Sequence, residues 1–492
     1  MDFESKGMLK DRSVAIRETL FHGPYYQRHL VGVPRLLDVQ VGRVVCESND
    51  AVFRTKLQEL TRVFNVGRYL DTIVRTEAGW KFASRLCIQA VYPRQRADSE
   101  LDHLSCLKFN PLKEPVAMVE GMNLPRFSAV RDAFASTFDD AWEQGAAVAV
   151  YLNGEPVVDL WGGHRDLART QPWQRDTLAN VWSCSKGVAA TAVAMLVERG
   201  TLDYDALLAT YWPEFAANGK AAITLDQVLS HRAGLDGVQV DMALPDLYAG
   251  TPFTDALAAM APLWQPGSRC VYHPVTFGHL LGEVVRRVDG RSLGRFIADE
   301  IAAPLGLSFF VGLPREHDHR AAGMSGDDAI YASHVEGLKS PYPFSFRNPE
   351  LFAQTPNARA WRAAEIPAAN GHSDARSLAR MYGALARGGA IDGVRLITPA
   401  GIARAARERF RGVDACSLGA TVFAAGYRVD SVGFGPSVGP GNFGHTGWGG
   451  SVAFADPTHH LGFAFVTSRL LAFPDGIDPR RQRLLQAVYA SL

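Results

Sequence analysis

Trp182-Ser183-Cys184-Ser185-Lys186-Gly187 opens the run Lys186–Arg199, which is apolar on nearly every side and is followed by Gly200. A segment apolar all round belongs in the interior, and a glycine suits a helix end. Ser183 and Lys186 stand three positions apart, almost one helical turn, so they share a face. A serine hydroxyl is a weak nucleophile until a base takes its proton. A lysine amine can be that base only when neutral, which burial or nearby positive charge brings about. The free N–H groups of a helix's first turn can also hold an oxyanion. The plainer alternative is a helix cap at Ser183 with a surface lysine behind it. S-x-x-K alone favours that alternative, because the pattern is common; a lysine heading a buried helix argues against it.

Two further segments carry chemistry. Tyr272-His273-Pro274 follows Pro266-Gly267 and precedes a helical pattern over Val275–Val288. A loop tyrosine beside a lysine can relay protons. His445-Thr446-Gly447-Trp448-Gly449-Gly450 leads into an expected strand, Ser451–Asp456. Glycines at a strand start let a ligand approach the backbone, and an N–H there can serve as an oxyanion donor. Taken singly, these segments read as a packing tyrosine and a glycine-rich turn.

Around them the pattern is α/β. Ala146–Leu152 and Pro156–Trp161 flank Asn153-Gly154, a hairpin turn. Thr224-Leu225-Asp226-Gln227 is a capping box. Ser292–Ala303 reads as a helix, Ser373 and Thr398-Pro399 as helix starts, Leu461–Ser468 as a strand and Pro479–Ala490 as a final helix. Strands at both ends of this region with helices between predict one mixed sheet assembled from both ends.

The order S-x-x-K, tyrosine, H-T-G has company in Trp161-Gly162-Gly163, Leu229-Ser230-His231-Arg232-Ala233-Gly234-Leu235 and Pro304-Leu305-Gly306-Leu307. In these motifs residues 119–492 resemble the serine β-lactamase and penicillin-binding-protein superfamily, most of all its class C β-lactamase-like esterases, the family VIII carboxylesterases. The resemblance implies a serine β-lactamase/DD-peptidase-like α/β (α+β) fold, with a mixed antiparallel sheet flanked by helices plus a helical region. It implies Ser183 as the acylated nucleophile, Lys186 as its base and Tyr272 as a partner in proton transfer. The amides of Ser183 and Trp448 would form the oxyanion hole, and His445, Thr446, Gly447 and Gly449 would line the substrate site. It implies no metal and no organic cofactor. Two positions depart from the superfamily's pattern. Its Tyr-x-Asn stands here as Tyr272-His273-Pro274, without the side-chain amide. Its Lys-Thr-Gly stands as His445-Thr446-Gly447, and a histidine near pH 7 is at best a partial cation. Both changes point from β-lactams and peptidoglycan towards neutral esters, a small-molecule substrate.

Residues 1–97 differ in texture. Gly42–Cys46, Val63–Leu70 and Trp80–Arg85 read as strands and Glu77-Ala78-Gly79 as a hairpin turn, with helix expected only in the first dozen residues. Arg12–Thr19, His29–Gly32, Ala51–Thr55, Gly67–Asp71 and Glu77–Arg85 make residues 8–97 resemble the small β-subunit of aromatic-ring-hydroxylating dioxygenases, a cone similar to the nuclear transport factor 2 fold. The cone is partial, and its exposed sheet edge makes this segment the expected site of any homo-oligomer. Residues 98–118, with Pro111 and Pro115, read as a linker.

The whole chain sets bounds. Of its 492 residues 47% are apolar, ordinary for globular domains, and 51 basic residues balance 51 acidic ones. With no basic excess, nucleic-acid binding has no electrostatic support. No apolar run reaches transmembrane length, and no signal peptide is legible at Met1–Lys6. Six scattered cysteines without C-x-x-C fit a reduced compartment. The expectation is a cytoplasmic serine hydrolase acting on carboxylic esters. The alternatives are a β-lactamase or DD-peptidase on the same scaffold, and a non-catalytic assembly protein acting through the N-terminal segment. Gly435-Pro436-Ser437-Val438-Gly439 matches G-x-S-x-G but lacks a following helix, so it reads as a decoy.

Overall fold

The computed structural model describes residues 25–31, 35–40, 43–56, 62–76 and 79–90, then 119–139, 142–326, 348–416, 419–471, 473 and 478–492. The chain divides into two compact units, Met1–Phe109 and Asn110–Leu492. The expected leading helix and the expected linker 98–118 both lie outside the described residues.

Among the described residues the first unit holds five antiparallel strands: β1 (Tyr25–Val31), β2 (Arg35–Gln40), β3 (Arg43–Lys56), β4 (Arg62–Thr76) and β5 (Gly79–Ala90). β3, β4 and β5 lie side by side, and β1 and β2 both pair with β3. β3 runs well past the expected Gly42–Cys46. The polar stretch Glu47-Ser48-Asn49-Asp50 hides it from an alternation reading, yet these residues pair in register with Leu70, Tyr69, Arg68 and Gly67.

The second unit is built on a nine-stranded antiparallel sheet. Its elements are β6 (Glu120–Asn123), α1 (Ser128–Asp139), β7 (Gly145–Leu152), β8 (Glu155–Gly163), α2 (Cys184–Glu198), α3 (Thr276–Asp289), α4 (Ala375–Ala386), β9 (Phe410–Val413), β10 (Ala420–Phe423), β11 (Arg428–Val429), β12 (Phe443–Thr446), β13 (Val452–Asp456), β14 (Leu461–Thr467) and α5 (Pro479–Ala490). The strand order β9-β10-β11-β12-β13-β14-β7-β8-β6 joins the two ends of the unit where β14 pairs with β7.

Period-two alternation sorts the sheet's side chains by size. Val148, Val150, Phe454, Phe463 and Phe465 face one way, packing with Phe127, Val130 and Phe134 near α1 and with Leu484, Leu485 and Val488 of α5. Ala147, Ala149, Ala453, Ala455 and Ala464 face the other way, into the core shared with α2, α3 and α4. Small residues there let α4 approach the sheet closely: a Cβ on Gly462 would stand 2.2 Å from both the Ala379 carbonyl and the Gly383 nitrogen. The result is a sheet covered by helices on both faces, with a helical region carrying α2 and α3. This is the serine β-lactamase/DD-peptidase-like fold.

Candidate active site

The site begins at a strained turn. Trp182 adopts φ +48°, in the left-handed region, which costs of the order of 1–3 kcal/mol in a non-glycine residue. Its indole is packed against Trp361 and Trp448, with ring centroids 5.5 and 4.8 Å away. The turn delivers Ser183 to the N-terminus of α2, whose residues from Cys184 to Val197 are all buried. The capping alternative fails, because the Ser183 side chain makes no cap hydrogen bond. Its Oγ instead lies 3.2 Å from Lys186 Nζ.

Lys186 is fully buried. Its Nζ donates to the carbonyls of Pro274 at 2.7 Å and Ala368 at 2.9 Å. Burial first, and then the positive charge of Arg428, pull its pKa well below the ordinary lysine value. A neutral amine has two N–H bonds and one lone pair. With both N–H groups on carbonyls, the lone pair is left for the Ser183 hydroxyl.

Tyr272 closes the cluster. Lys186 Nζ is 4.9 Å from the centre of its ring, and its hydroxyl interacts with the Ser183 side chain. Its backbone N–H donates to Asp414 Oδ1 at 3.0 Å. Burial raises the phenol's pKa, so Tyr272 is protonated at rest. His273 is structural: its Nδ1 bonds the Val271 carbonyl at 2.6 Å, and its Nε2 accepts from the Leu235 N–H at 3.3 Å. Pro274 contributes its carbonyl to Lys186.

β12 brings the third motif alongside. His445 is buried, and its Nδ1 donates to the Thr446 carbonyl at 2.7 Å. Burial, then Arg428 and Lys186, push its pKa well below 6.5, so the ring is neutral. Thr446 ends the strand half-buried. Gly447 lies against the serine turn so tightly that a Cβ would stand 2.4 Å from the Val181 carbonyl. The ring of the next residue, Trp448, packs on that of Trp182 in the same turn. The next carbonyl, of Gly449, accepts from Arg480 Nη2 at 2.6 Å. Arg480 is fully buried and paired with Glu143 at 2.7 Å and Asp478 at 2.8 Å, while burial pushes the Glu143 carboxyl up.

Ser183, Lys186, Tyr272, His445, Thr446, Gly447, Trp448 and Gly449 therefore gather at one end of α2 and β12. The sequence reading missed Arg428, Asp414, Glu143, Asp478 and Arg480: Asp478 and Arg480 pair two residues apart, but Glu143 meets Arg480 across 337 residues and Asp414 meets Tyr272 across 142. Ser437 sits in a turn after the short helix Asp430–Phe434, not on a strand-to-helix elbow. Cys184 is buried with its thiol pKa raised, and its Sγ donates to the His445 carbonyl. Asp318 of His317-Asp318-His319 is paired with Arg359 at 3.0 Å. Among the described residues no cluster suited to a metal ion occurs, and no helix is long and apolar enough to cross a membrane.

Residues 131–487 match the family model described as Beta-lactamase. The chain belongs to the β-lactamase family. It is a serine hydrolase. An esterase/β-lactamase, LipL, of Mycobacterium tuberculosis is 38% identical over 359 residues, covering 71% of this chain and 82% of that protein. The crystal structure of a family VIII carboxylesterase is 41% identical with a TM-score of 0.70, covering 76% of this chain and 100% of its own. A penicillin-binding protein homologue from Caulobacter crescentus is also 41% identical, with a TM-score of 0.69 and the same coverage. These relatives lend no support to the likeness of residues 8–97 to a dioxygenase subunit.

Proposed function

We propose that this protein is a carboxylesterase that hydrolyses short-chain carboxylic esters through an acyl-enzyme on Ser183. The observation that carries this reading is the neutral Lys186, whose two N–H groups are held by the Pro274 and Ala368 carbonyls and whose lone pair is left for Ser183 Oγ. Lys186 takes the Ser183 proton as Oγ attacks the ester carbonyl. The tetrahedral oxyanion is held by the backbone N–H groups of Ser183 and Trp448. Tyr272 protonates the departing alcohol and is reprotonated by the Lys186 ammonium. Water then repeats the attack and frees the acid.

Two features favour esters over β-lactams and D-Ala-D-Ala peptides. The uncharged His445 is a poor receptor for a substrate carboxylate, and Pro274 has no side-chain amide to hold an acylamino group. The relatives include an esterase/β-lactamase and a family VIII carboxylesterase. The deciding measurement is kcat/KM for 4-nitrophenyl butyrate, a chromogenic cephalosporin and a D-Ala-D-Ala peptide. The ester should lead by about 100-fold or more, the size expected of a lost charge-assisted contact plus a lost amide hydrogen bond. A cephalosporin with the higher value would make the protein a β-lactamase.

A further inference from the structure

The groups facing Tyr272 come from every element packed on it. Ser183, Cys184 and Lys186 come from the head of α2, His231 and His273 from loops, and Asp414 from the loop after β9. Arg428 comes from β11 and His445 from β12. Four of these are bases held neutral by burial. Lys186 and His445 are described above, and His231 and His273 are likewise lowered, His273 to about 4. The His231 ring stands 4.7 Å from that of Tyr272, and its Nδ1 accepts from the His273 N–H at 3.1 Å. Asp414 directs Oδ1 to the backbone N–H groups of Tyr272 and Cys416. Arg428 alone keeps a positive charge, since a guanidinium does not deprotonate in proteins.

Asp414 faces Tyr272 from its backbone side, and no ion pair joins it or any other described carboxylate to Arg428. Arg428 Cζ lies 5.8 Å from the centre of the Tyr272 ring and 5.3 Å from that of Phe423. Its Nε is buried without a hydrogen-bond partner, and among the described residues it forms no ion pair. A half-buried cation without an anion is unfavourable, unless an anion forms beside it during turnover.

We propose that Arg428 acts through Tyr272, its unpaired guanidinium supporting the negative charge that forms on the phenol oxygen when Tyr272 gives its proton to the leaving alcohol. This rests on the role given to Tyr272 above. The step balances: the Tyr272 O–H bond breaks and its proton goes to the leaving oxygen as the carbonyl C–O bond breaks. The Lys186 ammonium, carrying the former Ser183 proton, then returns a proton to the phenolate. A positive neighbour makes the phenol the stronger acid, which matters most when the leaving group cannot depart as an anion.

The test compares kcat/KM, which reports acylation, for ethyl butyrate and 4-nitrophenyl butyrate on the full chain. Nitrophenolate departs without a proton; ethoxide does not. Arg428→Gln should slow the ethyl ester about 100-fold and the nitrophenyl ester by no more than a few-fold. Arg428→Lys, which keeps the charge, should recover part of the ethyl ester rate. Labelling of Ser183 by a fluorophosphonate reports that a variant is folded, and Arg428→Met carries the same comparison if the glutamine variant takes no label. Loss of the Arg428 charge also eases protonation of Lys186, but this slows both esters alike, so the ratio isolates Tyr272. An equal loss on both esters, or none on either, overturns the proposal. Tyr272→Phe measured alongside separates the two claims. If it shows the leaving-group dependence and Arg428→Gln does not, Arg428 alone is misassigned; if it shows none, the reading of Tyr272 fails.

Discussion

Among the described residues of the second unit two lysines are fully buried, Lys186 and Lys220. Each directs its amine at two backbone carbonyls: Pro274 and Ala368 for Lys186, Ala217 and Met260 for Lys220. Each lies near an aromatic ring, Tyr272 at 4.9 Å and Phe215 at 5.5 Å. Burial lowers the pKa of both, and Lys186 is lowered much further, with Arg428 adding to the burial. What separates them is Ser183 Oγ on the remaining lone pair of Lys186, and a tyrosine in place of a phenylalanine. Burial lowers both amines and a neighbouring cation lowers Lys186 further; a hydroxyl on the third direction makes that amine a base. Lys220 is what the same arrangement looks like when it only ties a loop.

The hardest test of this contrast removes the hydroxyl. Ser183→Ala should abolish ester turnover and covalent labelling, while Ser437→Ala leaves both nearly intact. Labelling lost in the Ser437 variant alone would move the nucleophile to the G-x-S-x-G turn.

Next in size is the exchange of the two lysines' chemistry. Lys186→Arg keeps a cation that cannot become neutral at working pH, so kcat should fall about 1,000-fold, as when a general base is lost. Substantial activity would mean that Lys186 acts only as a charge. Lys220→Met should leave kcat/KM of the folded enzyme unchanged. It removes the Lys220 amine from the Met260 carbonyl, while that of Ala217 keeps the residue 220 backbone N–H, and should lower stability by about 1–3 kcal/mol, read as a lower urea midpoint. A variant of Lys220 with intact folding and lost activity would erase the distinction.

The acid limb of activity sharpens it further. Neutral Lys186 is the active form, so kcat/KM should fall on the acid side where the amine is protonated, at a pH well below the ordinary lysine range. The same burial acts on histidines far from the nucleophile. His279, stacked on Phe253 at 4.9 Å, is lowered from 6.5 to about 4. Between those values the unfolded chain binds a proton that the native state refuses, so stability falls as pH falls. Each such group contributes a slope of about 1.4 kcal/mol per pH unit. His279→Gln should flatten the stability curve between pH 6 and 5 by that amount and leave it unchanged at pH 8. An unchanged slope would mean that His279 is charged in the native state.

Legibility in the sequence tracked locality. The Asn153-Gly154 turn has φ +54° and +90°, as its hairpin requires. The Thr224 box forms with Gln227, Thr398 caps its helix, and α5 spans Pro479–Ala490 as read. Ser373 lies one residue before the true cap, Asp374. The helix expected over Ser292–Ala303 is interrupted, because Pro304 lacks an N–H and crowds the preceding turn, and the backbone widens to a π turn over Ala298–Ala302. In the site, the three motif segments were legible because each is local. The carbonyls that hold Lys186 lie 88 and 182 residues away, and Glu143 meets Arg480 across 337. Such partners are set by the fold's closure and leave no trace in spacing.

The smallest expected effect concerns the first unit. Both lysines, their carbonyls, Ser183, Tyr272 and Arg428 all lie beyond residue 180, and the family match begins at residue 131. The sheet of the second unit runs from β9 at one edge to β6 at the other, with strands from residues 120 to 467. Every residue assigned to that chemistry lies in the second unit. A chain beginning at Val119 should therefore hydrolyse 4-nitrophenyl butyrate with kcat/KM within about two-fold of the full protein, a difference of about 0.4 kcal/mol in activation free energy. It should take one fluorophosphonate on Ser183. Its oligomeric state is the property free to change, since the sheet of the first unit presents strand edges that pair with other chains unless covered. A soluble, folded truncation without activity would show that the first unit completes the site. The contrast between Lys186 and Lys220 would then depend on residues outside the unit that holds them both.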